Sequence, residues 1–164
     1  MRYSDAVSVN VSAEVVPRGE TDHVEAAWTL KERIRQAEGV LKQRRGFFTN
    51  AYRRSRVELF IEDDAVIAFA AARADGYILF LAVAPEHRGE GFGERLVGRV
   101  AEACDAVSCH ARTTNEAALG FYEHIGFERV RRIERYYEDG GDAYYLRLGE
   151  EPALLERLSS FLRR

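Results

Sequence analysis

Lysine is nearly missing from this chain: only Lys31 and Lys42 stand among its 24 basic residues, and the rest are arginine. A genome-wide codon bias explains that skew, although the planar fork of arginine also suits carboxylate and phosphate partners. An excess of positive charge is missing too. A formal charge of −3 over 164 residues supplies no global basic field, which argues against electrostatically driven binding of nucleic acid or of a membrane. Cysteine is scarce: Cys104 and Cys109 have no partner pattern, which excludes a disulfide framework and leaves them as reduced thiols, and no metal site is expected. Long apolar runs are absent as well. The longest, Tyr77 to Ala84, is less than half the ~20 residues that a membrane-spanning helix needs. Met1 is followed by a polar segment without a signal-type apolar core, so a cytoplasmic location is expected. Repeats, low-complexity tracts and linkers are lacking. Residues 1–164 therefore read as one domain, large enough to bury its own core.

What the chain does have is concentrated from Leu81 to Leu96. The apolar run that begins at Tyr77 stops at Pro85, glycines follow at 89, 91 and 93, and Leu96, Val97 and Val100 then recur at helical spacing. This is a strand, a glycine-rich turn and a helix. Glycines there let backbone N–H groups converge with no Cβ in the way, and the helix start adds about half a positive charge. Such a turn seats phosphate. The spacing is not that of the dinucleotide fingerprint, and Glu94 follows the last glycine where a P-loop needs lysine.

Around this turn the chain alternates strands and helices. Val7 to Val16 reads as an opening strand that ends near Pro17 and Gly19. Asp22 with Glu25 resembles a capping box ahead of a helix whose buried stripe is Ala27, Leu30, Ile34 and Ala37, closed by Gly39. A shorter helix falls within Lys42 to Arg56. Strands follow at about Val57–Glu62 and Val66–Arg73, joined by Asp63-Asp64. After the glycine turn and its helix come a strand near 107–112 and a helix over 115–125, with Asn115 as its cap. Strands over Glu128–Tyr137 and Ala143–Leu148 are connected by Glu138-Asp139-Gly140-Gly141, which suits a tight hairpin. Pro152 opens a last amphipathic helix, 151–164, that either packs back onto the domain or supports a homodimer.

Arg88, Gly91 and Gly93, spaced Arg-x-x-Gly-x-Gly behind a strand ending in Pro85, resemble the pyrophosphate loop of the GNAT superfamily of acetyl-coenzyme A dependent N-acetyltransferases. A second block, Val107 to Phe127, supports this: Asn115, Tyr122 seven residues on and the closing Gly126-Phe127 resemble the GNAT helix that lies along the pantetheine arm. Together the likeness covers about Arg56 to Leu148. It implies an α/β (α+β) fold with a mixed, mostly antiparallel sheet of six to seven strands flanked by helices, the C-terminal helix being an addition. It also implies acetyl-coenzyme A as co-substrate.

The resemblance assigns roles residue by residue. Arg88, Gly89, Glu90, Gly91, Phe92, Gly93 and Glu94 form the pyrophosphate loop. Edge amides and carbonyls around Leu81, Ala82 and Val83 pair with the pantetheine, and an amide of that strand faces the thioester oxygen. Asn115 caps its helix and also bonds the pantetheine. Glu90 is unusual at its position and is expected to point away from the phosphates. Tyr122 matches the family tyrosine near the coenzyme sulfur, the candidate proton donor; otherwise it is a core aromatic. His110, five residues before Asn115, stands where similar N-terminal acetyltransferases carry a catalytic Glu or His. It acts directly or through a water, or is a strand histidine with no chemistry. His23, His87 and His124 read as surface residues.

Substrate choice leans on two features. At pH 7 an α-amino group costs ~1 kcal/mol to neutralise and a lysine amine ~4.6 kcal/mol, so a modest base fits an N-terminal amine better. Arg135 to Tyr144, with paired tyrosines and an acidic glycine turn, resembles the hairpin of protein N-terminal acetyltransferases. This makes Tyr136 and Tyr137 peptide-groove residues, with Tyr77 as a further wall. Phe47 stands in the region that shapes the first-residue pocket, here without the family's proline. The implied partner is a peptide or protein N-terminus; the alternatives are a small amine, a lysine side chain, or acyl-coenzyme A binding without catalysis. Neither nucleic acid nor membrane is expected as a partner, and the protein is a monomer or homodimer.

Overall fold

A computed structural model describes residues 10–149. The helix expected from Pro152 onward, and the first residues of the strand expected from Val7, lie outside the described residues.

Among the described residues seven strands form, all paired antiparallel, but in two sheets where one was expected. β1 (Val11–Val16), β2 (Arg56–Glu62), β3 (Ala65–Ala72) and β4 (Ile78–Val83) make the first, in that order; β5 (Ser108–Arg112), β7 (Ala143–Leu148) and β6 (Phe127–Ile133) make the second. β3 is almost wholly apolar and buried from Val66 onward. A strand covered on both faces needs no polar alternation. Asp63 and Asp64 both take positive φ (49° and 66°), the conformation of a two-residue turn whose twist matches its strands.

Between the sheets, Tyr77 and Ser108 form a single parallel bridge, with the Ser108 N–H donating to the Gly76 carbonyl at 3.1 Å. Gly76 permits that approach. Its φ is 84°, and a Cβ there would lie 1.7 Å from the Ala106 carbonyl oxygen. Past the bridge β4 and β5 part company. The Ala84 N–H donates to Ile67 of β3 at 2.8 Å, so alternation turns the backbone groups of Leu81 and Val83 outward, into the gap.

Among the described residues four α-helices flank the sheets: α1 (Val24–Glu38), α2 (Arg45–Arg54), α3 (Phe92–Ala103) and α4 (Glu116–His124). α1 does not start as expected. Its cap is His23 at φ 67° with no side-chain cap bond, while Asp22 accepts the Tyr52 hydroxyl on its main-chain oxygen at 2.5 Å. Docking against α2 thus replaces the Asp22 capping box. Gly39 does end α1, at φ 71°, with its N–H on the Arg35 carbonyl. Ala27, Leu30 and Ile34 of α1 join Phe48 and Tyr52 of α2 in a core shared with Phe60, Phe69 and Phe80 of the first sheet. At ~25 cal/mol per Å² of apolar surface removed from water, this burial is the main source of stability. Both lysines brace the segment after α1: fully buried Lys31 bonds the Gln43 carbonyl, and Lys42 reaches Asp139 at 3.5 Å.

β6 is shorter than expected. It stops at Ile133, so Tyr136 and Tyr137 sit on a loop over 134–142 and not on a strand. Arg135 takes φ 54°, and its amide is held by the Asp142 carboxylate at 3.0 Å. The tight turn survives inside that loop, with the Gly140 N–H on the Tyr137 carbonyl at 2.9 Å. Among the described residues no helix is long and apolar enough to cross a membrane.

Candidate active site

Where β4 and β5 separate, a cavity of about 900 Å³ opens, bounded by the end of α1 and its following segment, the glycine loop, α4 and the 134–142 loop. Of the residues singled out from sequence, Leu81, Ala82 and Val83 line it from β4. Arg88, Gly89, Gly91, Phe92, Gly93 and Glu94 line it from the loop and α3. His110, Asn115, Tyr122, Tyr137 and Phe47 complete that group; Tyr77, Glu90 and Tyr136 lie outside the lining.

The glycine loop leaves its backbone open to the cavity. Pro85–His87 makes one 3-10 turn, Gly89 takes φ 81°, and Gly91 caps α3 at φ 89°. A Cβ on either glycine would meet no atom within 4 Å. These positions therefore need glycine for their backbone conformation, and the space above them is open. The Glu90 carboxylate is turned to the His87 Nδ1 at 2.9 Å and lies outside the cavity lining. His87 is not the surface residue expected: only 11% of its side chain is exposed. It stands between Glu62 at 3.3 Å and Glu90, edge-on to the Phe92 ring, and the hydrogen bond to Glu90 raises its pKa. His23 and His124 are solvent-facing.

Asn115 caps α4 by accepting the Ala118 N–H on its side chain at 3.1 Å. Two turns into the helix, Tyr122 meets Cys109 of β5. Its phenol is in hydrogen-bond contact with the thiol, and burial holds its pKa well above 10. Burial likewise pushes the Cys109 thiol up to about 12. Both are neutral across the physiological range.

Alternation along β5 sends the next residue, His110, to the opposite face. There its Nδ1 is hydrogen-bonded to the Tyr77 hydroxyl at 2.6 Å, and its ring stacks on Tyr136 with centroids 4.3 Å apart. The Tyr136 hydroxyl is 3.5 Å from that of Tyr77. Burial, then the charges of Arg131 and Arg73, lower the pKa of His110. Its Nε2 is buried with no hydrogen-bond partner among the described residues. Tyr122 and His110 thus occupy opposite faces of one sheet and line one cavity, because β4 has withdrawn from the β5 edge between them.

Sequence reasoning missed several lining residues. Glu38 at the end of α1 holds Arg88 by a two-pronged ion pair, and Lys42, Gln43 and Arg44 contribute from the segment that follows. Arg112 shares the alternation of Ser108 and His110, the signal by which it was findable. It pairs with Asp139 at 3.0 Å and lies 4.0 Å over the Tyr137 ring. The Arg112 hydrogen bond, foremost, holds the Asp139 carboxyl at about 2.

Residues 53–129 match the acetyltransferase (GNAT) domain family. That segment is similar to GNAT acetyltransferase domains. Two curated relatives share its central part: N-alpha-acetyltransferase 30 of Xenopus laevis is 42% identical over 78 residues, 44% of this chain and 29% of the relative. N-alpha-acetyltransferase RimI of Mycobacterium tuberculosis is 39% identical over 70 residues, 41% of this chain and 44% of the relative. The chain thus matches less than half the length of either. Among solved structures, Arabidopsis thaliana Naa50 in complex with the bisubstrate analogue CoA-Ac-MVNAL superposes with a TM-score of 0.67 at 22% identity, over 85% of this chain and 99% of that one. At that identity the likeness is one of fold. The matched segment includes the glycine loop, β4, β5 and α4, all of which wall the cavity.

Proposed function

We propose that this domain transfers acetyl from acetyl-coenzyme A to the α-amino group of a polypeptide N-terminus, by direct attack while both are bound. The observation that carries the reading is the gap between β4 and β5: outward-facing backbone of Leu81 and Val83, an open glycine seat at one end, and neutral His110 and Tyr122 on its two sides. A phosphate-bearing, strand-like arm fits those features. The amides at Gly89–Gly93 would hold the diphosphate, the β4 edge and Asn115 the pantetheine; the bound coenzyme supplies an activated acetyl thioester.

The chain's own residues then manage protons. For His110 to accept one, Nε2 must carry the lone pair, which requires Nδ1–H to donate to the Tyr77 oxygen. Tyr77 therefore sets the tautomer. A base with lowered pKa stays neutral at pH 7 and takes the proton released as the amine nitrogen bonds the acyl carbon and the carbon–sulfur bond breaks. Tyr122, locked in its protonated form by burial, donates to the departing sulfur. The Tyr136 and Tyr137 loop, and the names of the curated relatives, favour a peptide N-terminus as the amine.

An acetylation screen over a library of N-terminal peptides, read by mass spectrometry, tests this. Transfer to free but not to N-blocked peptides is expected. Turnover of small amines or lysine side chains with none of any peptide overturns the substrate; ligand-induced stabilisation without any turnover overturns the activity.

A further inference from the structure

Beyond the cavity, the face of the second sheet that bears His110 continues as a row. His110 on β5 stands opposite Tyr145 on β7, which stands opposite Arg131 on β6. The His110 and Tyr145 rings are 5.2 Å apart, and the Arg131 guanidinium lies 5.0 Å over the Tyr145 ring. Stacking of this kind holds a guanidinium in place while leaving its N–H edge free for a carboxylate.

The neighbouring arginines are already engaged. Arg129 pairs with Glu123, Arg132 with Asp142 and Arg112 with Asp139. Arg73 lies 4.5 Å over the Tyr77 ring on the other side of His110, but its charge is tied to Asp75 at 2.9 Å. Arg147, two residues along β7 from Tyr145, stands opposite Glu128. Among the described residues neither Arg131 nor Arg147 is held by a carboxylate, but Arg131, exposed, is the one stacked on the ring that abuts His110. Its field reaches the reacting centre, since it is one of the two charges that depress the pKa of His110.

Two strand spacings of ~4.8 Å put Arg131 about 10 Å from His110, the length of about three residues of extended chain at ~3.4 Å each. A peptide with its amine at His110 and its chain crossing the face toward β6 therefore brings its early side chains to Arg131. Resting on the N-terminal reading above, we propose that Arg131 is a specificity-determining residue selecting N-termini that carry a carboxylate side chain within their first four residues.

The test compares peptides with Glu at position 2, 3 or 4 against their Gln counterparts, by kcat/KM. Wild type should favour at least one Glu peptide by about three- to fivefold, the yield of one partly exposed ion pair. The effect should fall in KM and shrink at 0.5 M salt. Arg131→Gln should bring the ratio to one, and Arg131→Glu should turn the preference toward Lys at the same position. Equal use of Glu and Gln peptides by wild type, or a preference that survives in Arg131→Gln, overturns the inference and leaves N-terminal acetylation standing. If no peptide is acetylated while a small amine is, both fall.

Discussion

Arg88 forks onto Glu38, its terminal nitrogens 2.6 and 3.1 Å from the two carboxylate oxygens, while its Nε donates to the Val83 carbonyl at 3.3 Å. One side chain of the glycine loop thus ties the end of α1 to an outward-facing acceptor of β4. A coenzyme that pairs with the β4 edge must take that carbonyl from Arg88, and a diphosphate must draw the guanidinium from Glu38. Both side chains of the pair are partly exposed, so the clasp is worth ~1 kcal/mol or less. Glu38→Gln should tighten coenzyme A binding by about three- to fivefold, more at low salt than at high. Isothermal titration at two ionic strengths checks this; an unchanged or weaker Kd would show that Glu38 orients Arg88 for the phosphates.

Tyr122→Phe removes the hydroxyl proposed as proton donor but keeps the ring that packs edge-on against Phe127 and Phe121. Turnover should fall about a hundredfold, within the usual range for a general acid, with coenzyme affinity held within about threefold. Equal turnover would leave Tyr122 as a core aromatic.

The lowered pKa of His110 fixes the direction of its pH dependence. With its protonation displaced below the ordinary ~6.5, the base is already neutral at pH 7. The rise in rate between pH 7 and 8.5 should then follow the substrate amine. Loss in His110→Ala should be greatest below pH 8, where the ammonium still has to give up its proton; a deficit independent of pH would assign His110 a structural part. Tyr77→Phe should lower kcat/KM about tenfold across the range by releasing the tautomer, which a pH–rate profile would separate from the His110 effect.

Two glycines of the same loop should fail in different ways. Gly91→Val forces a β-branched residue into φ 89° with its side chain in the open seat, so coenzyme binding should be abolished. Gly93→Ala would put a Cβ 2.9 Å from the Phe121 ring, pushing α3 from α4. Its mark should be a Tm several degrees lower, the effect of ~1 kcal/mol or more of overpacking in a domain of this size. Thermal melts and coenzyme titration on both variants distinguish the two. A Gly93→Ala protein with unchanged Tm would mean that Phe121 swings aside freely.

Much of this molecule is written locally. The strand, glycine turn and helix from Leu81 to Leu96 follow from hydrophobic period and from the positive φ that glycine alone adopts without strain, and the Asn115 cap from a bond three residues long. Alternation along β5 places Ser108, His110 and Arg112 on one face. What residue order left open were relationships between distant segments: whether Asp22 caps α1 or receives Tyr52, whether His87 faces water or lies between Glu62 and Glu90, and where β6 ends under the pull of Asp142 on Arg135. Above all, the parting of β4 from β5 has no local signal. It arises because the two strands are bridged at Tyr77 and Ser108 and then packed into different sheets. That divergence brings His110 and Tyr122 to one cavity from opposite faces of a sheet, a juxtaposition that only the packed chain creates.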